Sequence, residues 1–171
     1  MKIFAMFTSQ LDGIFVESPG PGRRFALGSG PRTSYIDVRE SGTYAGTVQV
    51  QHDSAGAPFR SVEAFGNWLA IGLSNVVVVV HHRFSDGRIF YVDGYFGSFY
   101  PLDDKLMVCS ASQVIALNPG GRELWRAEGL GVDGVIIHDH DETSLTGDGE
   151  MDPPGGWLPF KLDHRTGHRM A

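Results

Sequence analysis

The densest set of reactive side chains lies between His138 and Asp152, where His138, Asp139, His140, Asp141, Glu142, Asp148, Glu150 and Asp152 share one short stretch. Carboxylates in such numbers are the raw material of a calcium loop, and Asp139, Asp141, Thr143 and Glu150 fall at its first, third, fifth and twelfth positions. Ser144 then stands where the sharp-turn glycine belongs, and no flanking helices are legible, so an EF-hand is not expected. Imidazoles suit a transition metal better. His138 and His140 share a face if a strand runs through them, and His164 and His168 flank a turn that could come near, with Asp163 placed to orient a ring. The single cysteine and the irregular spacing weigh against a metal centre. The favoured reading is a solvated acidic loop beyond a strand end, with no metal and no cofactor.

The segment Asp152-Pro153-Pro154-Gly155-Gly156-Trp157 is more specific. Two prolines fix φ and two glycines permit unusual φ, so the loop is built for one path that delivers Trp157. Trp157 could seal the end of the last structural unit together with Phe160, or it could be a rigid aromatic anchor in a recognition surface, where tryptophan is enriched. In the second case Asp148, Glu150 and Asp152 ring the anchor with negative charge, and the binding residues are Asp148, Glu150, Asp152 and Trp157. Tyr91, Tyr95, Phe96, Phe99 and Tyr100 form a second aromatic stretch that could be core or rim.

Other motifs fail on their surroundings. Gly129-Leu130-Gly131-Val132-Asp133-Gly134 matches a dinucleotide fingerprint, but a strand follows it where a helix is required, so it reads as a turn between units. Gly28-Ser29-Gly30 and Gly97-Ser98-Phe99 lack the spacing of a nucleophile elbow, and no Walker glycine-lysine loop exists. Cys109 sits inside an apolar run, where a thiol is core more often than nucleophile. No catalytic residue is assigned.

What positions these residues is a chain of short strands. Twenty-three glycines and nine prolines in 171 residues, with strand-forming runs between them, describe many strands joined by tight turns. Gly13–Val16 and Tyr35–Val38 are expected strands around a rigid Pro19–Gly22 loop, and 47–51 alternates strictly, so one of its faces should be wet. Only Ser61–Phe65 offers a turn of helix. Val76–Val80, Leu106–Cys109, Val114–Leu117 and Val135–Ile137 lack polar alternation, so both faces of each should be covered, and without helices the cover must be sheet on sheet. Arg88–Phe90 and Glu123–Arg126 would be outer, half-exposed strands. The pattern of apolar run, second strand, glycine turn and polar re-entry recurs three times from residue 65 onward, at the period of stacked units. One all-β domain over 1–171 follows, less regular over 1–64 and repetitive over 65–171.

One stretch carries a family likeness. Val114-Ile115-Ala116-Leu117-Asn118-Pro119-Gly120-Gly121-Arg122-Glu123-Leu124-Trp125 resembles a blade repeat of the quinoprotein-like β-propellers, whose repeats close with an aliphatic-Ala-Leu-Asp strand, a glycine turn and a tryptophan. Phe160-Lys161-Leu162-Asp163-His164-Arg165-Thr166-Gly167 is similar to the same strand and turn. The whole chain is also similar to short bacterial proteins that carry a Pro-Pro-Gly-Gly-Trp segment. A four-stranded blade takes about 40 to 45 residues, so the chain holds no more than about four and cannot form a large closed ring. The resemblance therefore implies consecutive antiparallel meanders in an incomplete propeller-like stack, or a β-sandwich made of them. Quinone binding does not carry over, because no ring of blades encloses it.

The formal net charge of -6 disfavours a phosphate-backbone partner such as nucleic acid. No window has the apolar length to cross a bilayer, and Ile3–Phe7 is too short and too early for a secretory signal, so a cytoplasmic protein with no membrane partner is expected. Two functions remain. One is a non-catalytic protein-binding module for a basic protein partner, by analogy an immunity-type or regulatory protein of bacteria. The alternative is a metal-dependent enzyme or metal-bound ligand module using His138, His140, His164 and His168.

Overall fold

The computed structural model describes residues 11–53 and 59–171, and among these the chain forms fifteen strands and no helix. The Ile3–Phe7 run lies outside the described residues. The first sheet contains β1 (Leu11–Val16), β2 (Arg24–Gly28), β3 (Arg32–Glu40) and β4 (Thr43–His52), in the order β1-β3-β4-β2. Within it β2 runs parallel to β4, and the other pairs are antiparallel. The second sheet is a meander of β5 (Arg60–Phe65), β6 (Trp68–Leu73), β7 (Val76–His81) and β8 (Gly87–Tyr91). The third repeats that plan with β9 (Phe96–Pro101), β10 (Leu106–Ser110), β11 (Val114–Leu117) and β12 (Glu123–Ala127). The fourth holds β13 (Val135–His140), β14 (Ser144–Glu150) and β15 (Trp157–Asp163).

The strands without polar alternation are the ones buried on both faces. In β6 and β7 the side chains of Leu69, Ile71, Leu73, Val76, Val78 and Val80 join a core shared with Ile36, Val48 and Val50 of the first sheet. Their neighbours Trp68, Ala70, Val77 and Val79 point the other way, into a core with Leu106, Val108, Ile115 and Leu117 of the third. The third sheet repeats the device: Met107, Cys109, Val114 and Ala116 turn their backs on that layer and pack on Val135, Leu145, Phe160 and Leu162 of the fourth. Three apolar layers thus bind four sheets in series, and the stack does not close into a barrel or propeller. In β4, Val48 and Val50 are buried while Gln49 and Gln51 are partly exposed, but the face that the alternation predicts to be wet is so only in part, because Thr47 on it is buried and donates to Asp37 Oδ1 at 2.7 Å.

The structure departs from expectation in four places. Ser61–Phe65 is no helical turn, because Arg60–Phe65 pairs residue by residue with Leu73–Trp68 and that ladder outweighs a weak local preference. Phe96–Pro101 is a strand, with Phe96 in the core and Tyr91 half exposed at the edge of the preceding sheet. Val135–Ile137 is covered on one face only. Ile136 is 45% exposed, because among the described residues no sheet packs beyond the fourth. The His138–Asp152 segment is not a solvated loop: it forms the β13–β14 hairpin and supplies β14 as the middle strand. Ser-Leu-Thr-Gly-Asp-Gly-Glu reads poorly as a strand, yet its glycines are required. A Cβ on Gly147 would stand 2.1 Å from the Ile136 carbonyl oxygen, and one on Gly149 would stand 1.7 Å from that of Leu130.

Val108 is 1% exposed between the second and third sheets, so Val108→Asp would bury an unpaired carboxylate costing several kcal/mol against a total stability of about 5–15 kcal/mol. The expected outcome is loss of soluble protein. Gly149→Ala should also destabilise severely, because backbone rather than a flexible side chain stands in the way. A cooperative thermal melt at wild-type temperature for either variant would contradict the layered packing.

Candidate functional site

The turn between β14 and β15 is closed on itself. The Met151 amide donates to the Gly156 carbonyl at 2.9 Å, the Gly156 amide donates to the Asp152 carbonyl at 3.0 Å, and Gly155 adopts a φ of +108° that a side chain rarely tolerates. A further bond ties it to the sheet, with the Gly155 amide donating to Glu150 Oε1 at 2.9 Å. The loop therefore follows one path and delivers Trp157 opposite Glu150 in the ladder. Trp157 is 39% exposed, and its indole lies over the backbone of Gly134, where a Cβ would come within 3.1 Å of the ring. Phe160, three residues on, is in the core instead.

A cleft of about 500 Å³ opens beside this ring. Trp157 and Ile136 line one part of it and Phe59 and Tyr95 another, where the edge strands β9 and β13 approach each other. Phe59 and Tyr95 stack at 5.9 Å between centroids and 30° between planes. The Tyr95 hydroxyl donates to the Asp133 carbonyl at 2.6 Å and lies 3.2 Å from its Oδ1. Burial, then the hydrogen bond to Asp133, then the charges of Asp133 and Glu150 push the tyrosine pKa upward. Both carboxylates thus act on one place, and the cleft combines aromatic walls with negative potential.

The residues singled out from the sequence divide between this cleft and its surroundings. Trp157 and Glu150 line it. Asp148 is directed elsewhere, with its Oδ2 2.9 Å from His138 Nε2, and Asp152 is exposed in the turn. Phe59 and Asp133 were not anticipated. Asp133 belongs to the glycine-rich motif that reads as a turn, and it does lie in the connection from β12 to β13. Phe59 carries no signal of its own, since a lone aromatic before a strand looks like core.

The four histidines do not converge. The ladder between β13 and β14 slips between Ile137 and Asp139, so His138 is the extra residue of a bulge. His138 consequently turns to Asp148, whereas His140 stands opposite buried Leu145 with its ring nearly perpendicular to that of Tyr100, 6.0 Å between centroids. The expected shared face of His138 and His140 is lost to that one inserted residue. His140 and His164 approach to 6.1 Å above a smaller cleft of about 330 Å³ bearing Asp104 and Glu142. Burial first, then the positive charge of Lys105, lowers the His164 pKa and favours its neutral form. The backbone carbonyl of His168 accepts from the Asp163 amide. Among the described residues, no group of three or more His, Cys, Asp and Glu side chains is gathered for a metal ion. The calcium alignment fails for a related reason, because Asp141 is consumed by the β13–β14 turn. Its carboxylate accepts from the Thr143 amide and hydroxyl and from the Ser144 amide and hydroxyl, at 2.7 to 3.0 Å.

Cys109 is fully buried between the third and fourth sheets, and burial pushes its thiol up to about 12, so it supplies no thiolate at neutral pH. Against known proteins, the chain matches no family model and no curated sequence.

Asp141 gives a pH signature. The bonds from Thr143 and then Ser144 hold its carboxyl well below the usual carboxylate range. A depressed folded pKa contributes stability above the unfolded value near 3.8, and the contribution is lost as the pH falls toward the folded value. The difference in melting temperature between wild type and Asp141→Asn should therefore be constant above about pH 5 and shrink below about pH 4. A difference that does not change across acid titration would show that the turn does not stabilise the charged form.

Proposed function

We propose that this protein is a non-catalytic binding module that engages a basic protein partner through the β14–β15 turn and the cleft beside Trp157. The observation that carries the proposal is a half-exposed tryptophan held by a self-bonded turn over a glycine, next to an apolar cleft bearing two carboxylates. A large aromatic ring fixed in advance loses little conformational freedom on binding, which is why such residues serve as interface anchors. The overall charge of -6 favours encounter with a positively charged surface and discourages nucleic acid. An immunity-type or regulatory role in bacteria fits a small acidic binder, and the stacked meanders of the second and third sheets are compatible with blade-like repeats.

Trp157→Ala tests the role. Affinity for the partner should fall by about 2 kcal/mol or more, whereas stability should fall by much less than the about 3–5 kcal/mol that a fully buried aromatic costs. Asp148→Asn should mainly slow association and flatten its salt dependence. Immobilised wild-type and Trp157→Ala proteins, matched for folded fraction by thermal melting, make the comparison. Equal retention of the same basic proteins by both would refute the anchor role.

A further inference from the structure

We propose that the cleft between Phe59, Tyr95 and Trp157 receives one arginine side chain of the partner. The assignment rests on the binding role above and specifies what the partner must present. Three aromatic rings border the cleft, and a cation over an aromatic face is attracted by the ring quadrupole. The only charged groups among its described lining residues are the carboxylates of Asp133 and Glu150. The Tyr95 hydroxyl, which donates to the Asp133 carbonyl, lies beside Oδ1 of Asp133, and the Gly155 amide donates to Oε1 of Glu150, so among the described residues Oδ2 and Oε2 are open to accept from a ligand. An anion would meet two like charges, and a neutral apolar group would strip water from the carboxylates without replacing their hydrogen bonds.

Arginine suits this combination better than lysine. Its planar guanidinium stacks on a ring while its fork of N–H donors reaches carboxylate oxygens, and it is less strongly hydrated than an ammonium. The walls are set before binding: Phe59 and Tyr95 are stacked on each other, Tyr95 is tethered to Asp133, and Trp157 rests on Gly134. At about 500 Å³ the cleft has room for the side chain and for part of the backbone that presents it.

The probe is n-butylguanidinium, compared with n-butylurea as its neutral analogue and n-butylamine as its ammonium analogue. Trp68 and Trp125 are each 8% exposed and Trp157 is 39% exposed, so acrylamide quenching reports chiefly on Trp157. n-Butylguanidinium should protect Trp157 saturably and bind more tightly than n-butylamine, while n-butylurea should give no saturable protection. The isosteric pair Asp133→Asn and Glu150→Gln, with an unchanged melting temperature, should weaken n-butylguanidinium by about tenfold or more, as loss of charge-assisted bonds does. Absent saturation, equal binding of n-butylamine or n-butylurea, or an unaltered affinity in the double variant would overturn the proposal. If n-butylguanidinium fails while Trp157→Ala still releases the partner, the arginine assignment falls and the binding role stands. If n-butylguanidinium binds but Trp157→Ala retains the partner, the cleft is a cation site unconnected with that partner, which overturns the proposal as well.

Discussion

Everything in this molecule depends on sheet covering sheet. β6, β7, β10 and β11 carry apolar side chains on both faces, and each face must leave water. With no helix among the described residues, only neighbouring sheets can provide the cover, so odd and even positions of one strand belong to different apolar layers. This arrangement weakens the usual control of register. In a half-wet strand a one-residue slip exposes the apolar set, whereas here it would exchange one apolar set for another. Shape and turns take over that control. A Cβ on Gly72 would lie 2.2 Å from the Phe96 ring, so only glycine fits the position facing the third sheet. The β11–β12 turn is pinned by Asn118, whose side-chain oxygen accepts from the amides of Gly120 and Arg122.

The candidate site is a consequence of where the stack stops. The fourth sheet packs inward through Val135, Ile137, Leu145, Phe160 and Leu162, while Ile136 and Trp157 remain partly in water. Its middle strand is thinned to glycine at 147 and 149, which lets the Leu130 connection lie against it and brings Asp133 to Tyr95. Residues near 59, 95, 133 and 157 are thereby brought to one cleft by the edges of successive sheets rather than by any local motif.

Particular residues show how far the sequence could be read. The uninterrupted valines of 76–80 and the run 114–117 announced strands buried on both faces, and the rigid path of Pro153 to Gly156 announced a tryptophan with a fixed position. β9 is hard to see because mixed polar and aromatic runs resemble loops until a ladder partner is known, and β5 offers a turn of helix until its pairing with β6 is known. β14 escapes notice because its glycines, ordinarily strand breakers, answer to backbone atoms contributed by residues 130 and 136. Phe59 and Asp133 had no local signal at all.

The sequence by itself determined the all-β class, the two-faced burial of the central strands and the restriction of the loop before Trp157 to a single path. These follow from side-chain polarity and from the φ preferences of proline and glycine, which act over a few residues. Only the tertiary structure decided which groups meet. A single inserted residue at His138 reverses which way the following side chains point, parting His138 from His140, and no periodicity in the sequence marks that slip. The pairing of Phe59 with Tyr95, and of Tyr95 with Asp133, likewise depends on how sheet edges come together. Local pattern reports that a side chain must be covered; which distant segment covers it is set by the packing of whole sheets.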